Sequence, residues 1–273
     1  MSTVVFLGGG RITSAMLAGL RLGKTKHRLV VHDRNPGKLR ELKKRYAVTV
    51  EPDLNEAVLL AEVLIVAVRP GSVRELLPPL GTSIGKSIRT TTTKHARLAI
   101  SLVAGVPLHA LTKLAGPPVK WARAMPSPAC RSGRGLTAVT FPRNLPRPDR
   151  KWVTDFFAGF GQVVEIPESK FDAFTVTFSC SHGYHALAAL AAAAQSAGLD
   201  RKTALLASAH ALADGIIAWR NGKHSLESLL EEAATPGGIA AATAMKMDAA
   251  GYRHVVRQGV IAGMRRARMN AAQ

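Results

Sequence analysis

A short apolar run that breaks directly into glycines constrains this chain more than anything else in it. The residues are Val4-Val5-Phe6-Leu7-Gly8-Gly9-Gly10-Arg11-Ile12-Thr13-Ser14-Ala15. An apolar strand runs straight into the glycines, and a helical pattern follows them at once. A strand, a glycine turn and a helix in that order bring backbone N–H groups and a helix N-terminus to one point with no Cβ in the way. That is a cradle for the phosphates of a dinucleotide. A second turn, Ala233-Ala234-Thr235-Pro236-Gly237-Gly238-Ile239-Ala240, interrupts a stretch that otherwise reads as helix, and suits a small acid.

The rest of the chain divides by periodicity. Short β-branched runs at 4–7, 28–32, 63–68, 99–103, 120–124 and 136–141 read as strands, with a last one at 162–166. Helices are expected between them at 14–22, 36–46 and 54–60. Alternation at this spacing implies βαβ units and a mainly parallel sheet. Residues 81–97, including Thr90-Thr91-Thr92-Thr93, show no clear period and read as an irregular or mobile connection. From Glu168 onward strands vanish, and 186–197, 201–221, 225–233 and a stretch from about 239 read as helices. The expected class is α/β: a dinucleotide-binding domain over 1–166, followed by an all-α domain over 167–273.

The first glycine turn places Gly8, Gly10 and Thr13 at the three positions of a G-x-G-x-x-G fingerprint, with Thr at the third. Gly9, Arg11 and Ile12 complete the turn and the helix start. The second strand ends at His32-Asp33-Arg34-Asn35. Asp33 stands near where an acid usually holds a ribose 2′-hydroxyl, while the fork of Arg34 suits a 2′-phosphate. With Lys38 and Arg40 nearby, the set favours NADP and leaves NAD open.

Charge is the other unusual property. The formal net charge is +19, and residues 21–45 hold Arg21, Lys24, Lys26, Arg28, Arg34, Lys38, Arg40, Lys43, Lys44 and Arg45 against Asp33 and Glu41. No helix-turn-helix, metal-finger or stacking-aromatic pattern accompanies them, and aromatics are 5%. The basic face therefore reads as a solvated surface that attracts anionic substrates and cofactors, rather than as a nucleic-acid interface. Cys130 and Cys180 form no disulfide framework, which points to a reducing compartment. No signal-like segment and no apolar run of spanning length are evident, so the chain reads as soluble and cytoplasmic. No set of residues shows metal-ligand spacing.

Several blocks, in order, carry a likeness that runs nearly end to end. They are Phe6-Leu7-Gly8-Gly9-Gly10; Asp33-Arg34-Asn35-Pro36-Gly37-Lys38-Leu39; Val66-Ala67-Val68-Arg69-Pro70; Ser101-Leu102-Val103-Ala104-Gly105-Val106; Arg123-Ala124-Met125-Pro126; Phe171-Asp172-Ala173; and Thr235-Pro236-Gly237-Gly238. In these the chain resembles the pyrroline-5-carboxylate reductases. The resemblance implies a Rossmann domain followed by a helical domain that dimerises by interlocking helices. It implies NAD(P)H-dependent reduction of a cyclic imine, the last step of proline synthesis, at a site between one subunit's nucleotide domain and helices from the dimer. By that resemblance Val68, Arg69 and Pro70, together with Met125 and Pro126, line the nicotinamide side. Thr235, Gly237 and Gly238 hold the substrate carboxylate.

Departures from the family cluster on the substrate side. The family usually continues Pro-Gly-Gly with one or two threonines, where this chain has Ile239-Ala240, with Thr243 one turn on as a stand-in. Met-Pro-Asn-Thr-Pro becomes Met125-Pro126-Ser127-Pro128-Ala129, and the lysine of Val-Lys-Pro becomes Arg69. A Gly-Ser-Gly-Pro-Ala-Tyr helix start becomes Ser179-Cys180-Ser181-His182-Gly183-Tyr184. His182 and Tyr184 are thereby candidates to protonate an imine or to orient the proton, although helix-start residues also serve local backbone groups. His185 reads as a helix-packing residue and Cys180 as a small buried thiol. Two alternatives stay open. A 3-hydroxy-acid dehydrogenase shares the two-domain plan, but the lysine its pattern needs is absent between Lys170 and Lys202. A non-catalytic nucleotide-binding relative would keep the fold without the hydroxyls.

Overall fold

The computed structural model describes residues 1–90, 98–179 and 181–272. Eight strands form one sheet: β1 (Thr3–Leu7), β2 (Arg28–His32), β3 (Thr49–Val50), β4 (Val63–Val66), β5 (Leu98–Ser101), β6 (Lys120–Pro126), β7 (Gly135–Thr140) and β8 (Gly161–Glu165). Their order is β3-β2-β1-β4-β5-β6-β7-β8, and only the β6–β7 pair is antiparallel. The chain works outward from β1 through β2 to β3, then returns to the other side of β1 with β4. Order reverses there, and the crevice at such a switch point is where open α/β sheets bind ligands.

Burial on both faces explains the unbroken apolar strands. Val4 and Phe6 join one core cluster while Val5 and Leu7 join the other. The period of two along a strand divides the side chains between the two faces. On the first face lie α1 (Arg11–Leu22), α2 (Pro36–Tyr46) and α6 (Arg147–Ala158), with Met16, Leu17, Leu39, Leu42, Val153 and Phe157 turned inward. On the second lie α3 (Leu54–Leu60), α4 (Val73–Thr90) and α5 (Leu108–Ala115), with Ala57, Leu77, Leu80 and Leu111 buried.

The expected irregularity at 81–97 does not hold for residues 81–90, which continue α4; residues 91–97 lie outside the described residues. Pro78 and Pro79 sit inside this helix, each removing a backbone donor, and they mask its period. The period survives in Val73, Leu77, Leu80 and Ile84, all buried. Gly81 completes the packing, because a Cβ there would collide with the Ala115 backbone of α5.

By internal contacts the chain forms two compact units, Met1–Phe178 with Gly263–Gln273, and Ser179–Ala262. Helix α7 (Glu168–Thr177) belongs to the first. The second holds α8 (Ser181–Ser196), α9 (Arg201–Asn221), α10 (Leu226–Ala233), α11 (Ile239–Ala249) and the start of α12 (Tyr252–Ala272). Asp200 caps α9 by accepting from the Lys202 and Thr203 amides at 2.9 and 3.1 Å, and Ser225 caps α10. Among the described residues no helix is long and apolar enough to cross a membrane.

Candidate active site

The carboxyl end of β1 builds the candidate dinucleotide cradle of the first unit. Gly8 has φ +111°, and a Cβ there would lie 2.5 Å from the Ala67 carbonyl oxygen, so only glycine fits between β1 and the end of β4. The Gly8 amide donates to the His32 carbonyl at 2.8 Å, which ties the turn to β2. Gly10 is the N-cap of α1 and provides no side-chain cap, so the first amides of the helix keep their hydrogen-bonding capacity. Beyond its own chain neighbours, nothing lies within 4 Å of where a Gly10 Cβ would stand. An uncapped helix start facing open space beside a glycine turn fits a pyrophosphate.

Thr13 explains how the turn dispenses with a third glycine. Its side chain is fully buried, and its hydroxyl donates to the Gly8 carbonyl at 2.5 Å. The hydroxyl fixes the orientation of the Gly8 peptide, and with it the turn. Fingerprint matching alone misses this role, because it reads Thr13 only as a substitution for glycine.

Asp33 also acts on the turn. One carboxylate oxygen accepts from the Gly9 amide at 2.7 Å and the other from the Asn35 amide at 2.8 Å, with Lys38 at 3.4 Å. Burial pushes this carboxyl up, but the Asn35 and Gly9 amides and the Lys38 ammonium outweigh it, so the group stays below its ordinary 3.8. Asp33 is therefore anionic at neutral pH and committed to the backbone. Arg34 points to water and gives one guanidinium nitrogen to both oxygens of Glu75, each at 3.0 Å. The partner in the first turn of α4 is one that no local motif announces.

After β4, Val68 is half-buried, Arg69 is exposed, and Pro70 opens a short 3-10 turn, Pro70–Ser72. Met125 and Pro126 end β6, where they pair with Ala138 and Thr137 of β7. Two residues before Met125, the Arg123 side chain is 1% exposed, bonded to Glu168 at 3.3 Å and Asp172 at 3.0 Å, and lies over the Phe171 ring. Glu168 also accepts from the Leu108 amide at 2.6 Å. Strand β6, helix α7 and the start of α5 are thus joined through one buried cation. Cys130 is buried, and desolvation pushes its thiol up to about 11, which makes it a packing residue rather than a nucleophile.

The second unit carries the other predicted residues. Gly237 has φ +76°, and Gly238 is the N-cap of α11 without a side-chain cap. The Gly238 amide donates to the Thr235 carbonyl at 2.9 Å, closing the turn. The Thr243 hydroxyl donates back to the Ile239 carbonyl at 2.9 Å within α11. On α8, His182 and Tyr184 line an open hollow of about 500 Å³ with Ser181, His185 and Ala188. Tyr184 is 70% exposed, and His182 and His185 also face solvent in the single chain. Cys180 lies outside the described residues.

Comparison with known proteins agrees with this layout. Residues 3–93 match the family described as NADP oxidoreductase, coenzyme F420-dependent, and residues 168–270 match pyrroline-5-carboxylate reductase dimerisation. A pyrroline-5-carboxylate reductase from Synechocystis is 30% identical over 265 residues, covering 95% of each chain. Among solved structures, the Plasmodium falciparum pyrroline carboxylate reductase with NADP bound superposes with a TM-score of 0.85 at 20% identity, over 99% of this chain and 98% of that one. The Streptococcus pyogenes enzyme gives 0.86 at 21%, over 98% of both. A Rossmann unit with its glycine turn at the switch point, a helical unit of a dimerisation family and end-to-end sequence identity lead to one conclusion: this chain belongs to the pyrroline-5-carboxylate reductase family.

Proposed function

We propose that this protein reduces pyrroline-5-carboxylate to proline, with NADPH as the preferred cofactor and NADH accepted. The observation that carries the reading is the uncapped start of α1 behind Gly8, Gly9 and Gly10 at the sheet's switch point. In this reading the amides of Gly10, Arg11 and Ile12 hold the pyrophosphate, Asp33 braces the turn through Gly9, and Arg34 faces the ribose 2′-position. The reduced nicotinamide, when bound, supplies a hydride. Val68, Arg69, Pro70, Met125 and Pro126 shape its surroundings. The turn at Gly237 and Gly238, with Gly238 closed on the Thr235 carbonyl and the first amides of α11 uncapped behind it, anchors the substrate carboxylate at the positive end of that helix. His182 or Tyr184 keeps the ring nitrogen protonated, with Thr243 as a third donor once its hydroxyl turns away from the Ile239 carbonyl. The protein's main contribution is to orient the two reactants and exclude competing geometries.

The division of labour is residues 1–166 for the dinucleotide and 167–273 for substrate and association, in a cytoplasmic homodimer or higher homo-oligomer. The apolar side chains left exposed on α9 to α12 support the dimer. The test is to follow NADPH consumption with pyrroline-5-carboxylate, alongside other cyclic imines and, with oxidised cofactor, 3-hydroxy acids. Turnover on the first substrate is expected. Turnover only on a 3-hydroxy acid, or on nothing with either cofactor, would overturn the reading.

A further inference from the structure

We infer that Glu75 is a specificity-determining residue of the cofactor site: its carboxylate competes with a 2′-phosphate for Arg34 and so holds down the preference for NADPH over NADH. The inference rests on the cofactor reading above and adds a residue that no fingerprint includes.

Position is the first argument. Arg34 follows β2, Glu75 stands in the first turn of α4 beyond β4, and β1 lies between those two strands. A pair joining them spans the carboxyl end of β1, above the turn where the pyrophosphate is placed. A dinucleotide extending from that turn toward the end of β2 meets this pair.

Strength is the second. The two side chains are 72% and 70% exposed, so their attraction is screened and easily exchanged. Both short bonds use a single nitrogen of Arg34. The remaining guanidinium donors suit a phosphate, and binding there brings a dianion beside the Glu75 carboxylate. Glu75 gains from the positive end of α4 without Arg34, so releasing Arg34 costs it little.

Charge is the third. Asp33 is also acidic and close in sequence, but its oxygens are occupied by the Gly9 and Asn35 amides and by Lys38. Glu75 has instead turned its carboxylate to the very arginine a 2′-phosphate needs.

The test uses adenosine fragments, so that it depends on neither turnover nor the second unit. Calorimetry with 2′,5′-ADP and 5′-AMP is run on the parent, Glu75→Gln, Arg34→Ala and the double variant. Glu75→Gln should tighten 2′,5′-ADP by about threefold to tenfold at low salt and leave 5′-AMP essentially unchanged. The gain should shrink at high salt, and should be smaller in the Arg34→Ala background, where only repulsion is relieved. Unchanged or weaker 2′,5′-ADP binding by Glu75→Gln would overturn the role of Glu75 while leaving the cofactor reading intact. A parent that binds 5′-AMP as well as 2′,5′-ADP, with no response to Arg34→Ala, would remove Arg34 and Glu75 together. A parent that binds neither fragment would overturn the cofactor reading as well. Both side chains are exposed, so each variant is expected to fold, and unchanged melting verifies it.

Discussion

The two units of this chain are built to different degrees of completeness. In the first, Phe6, Leu7, Met16, Leu17, Leu64 and Ile65 are wholly withdrawn from water, and helices cover both faces of the sheet. In the second, among the described residues, burial reaches that range only at Ala191, Ala204 and Ser208, while Leu206 and Ile217 are 59% and 53% exposed. Both units fold from strong local patterns, but only the first encloses its own core. Apolar surface left on helices with so little buried between them marks an interface. The second unit is completed by association, which is the physical content of its match to a dimerisation family.

The largest expected effect tests the self-sufficiency of the first unit. Arg123→Ala strips the cation from Glu168, Asp172 and the Phe171 ring, leaving two half-buried carboxylates without their counter-charge and Glu168 with the bond it accepts from the Leu108 amide. It should cost about 3–5 kcal/mol, the range for breaking a buried pair from one side. Denaturant unfolding followed through Trp121 and Trp152 measures it. A loss that varied with protein concentration would erase the contrast between the units.

Next comes the incompleteness of the second. Leu206 and Ile217 lie eleven residues apart on α9, nearly in line along one face. Replacing both with Asp should weaken self-association by about 2–4 kcal/mol, the scale of interface hot spots. Sedimentation should show monomers at concentrations where the parent self-associates. An unchanged mass would place the interface elsewhere.

The glycine turn sharpens the comparison at a single atom. Thr13→Ala leaves the Gly8 carbonyl without its hydroxyl donor and should cost about 1–2 kcal/mol, with Thr13→Ser recovering most of it. Among the described residues the Gly237-Gly238 turn of the second unit shows no such side-chain lock, and Ile239-Ala240 follow it where the family resemblance leads one to expect threonine. Ala240→Thr should therefore raise kcat/KM for pyrroline-5-carboxylate by about 0.5–1.5 kcal/mol, or roughly two- to tenfold. A mutant slower than the parent would mean that the proton comes from another side chain.

The smallest effect is confined to acid. The Asp33 carboxyl is depressed in the folded state, so its contribution is fully present above its ordinary 3.8 and is lost as pH falls through the lower folded value. Acid titration of the parent should show that added loss, and Asp33→Asn should lack it. Identical acid profiles would mean that the Gly9 and Asn35 amides do not hold the carboxylate in solution.

Much of the first unit is legible in the chain. Strands β1 and β2 and helices α2 and α3 fall where periodicity puts them, because a buried strand and a one-sided helix each write their pattern into consecutive residues. Helix α4 was obscured by Pro78 and Pro79, although the Val73, Leu77, Leu80 and Ile84 stripe runs straight through them. Helix α7 buries only Phe171 and so writes no stripe into the sequence, whereas α5 carries one, Leu108, Leu111 and Ala115, that the strand alternation did not single out. Candidate residues were easier to name than their work. The acid after β2 could be found by counting, but only the fold shows Asp33 turned to the Gly9 amide and Arg34 held by a glutamate 41 residues away.

By itself, then, the sequence determined the βαβ alternation, the glycine turn, the helical second half and the family. These depend on neighbours within a turn or two, where periodicity and backbone freedom act directly. Tertiary structure decided which groups the turn residues meet: Thr13 with the Gly8 carbonyl, Asp33 with the Gly9 amide, Arg34 with Glu75 and Arg123 with Glu168 and Asp172. Such pairings depend on how strands are ordered in the sheet, and strand order arises from packing across the chain rather than along it.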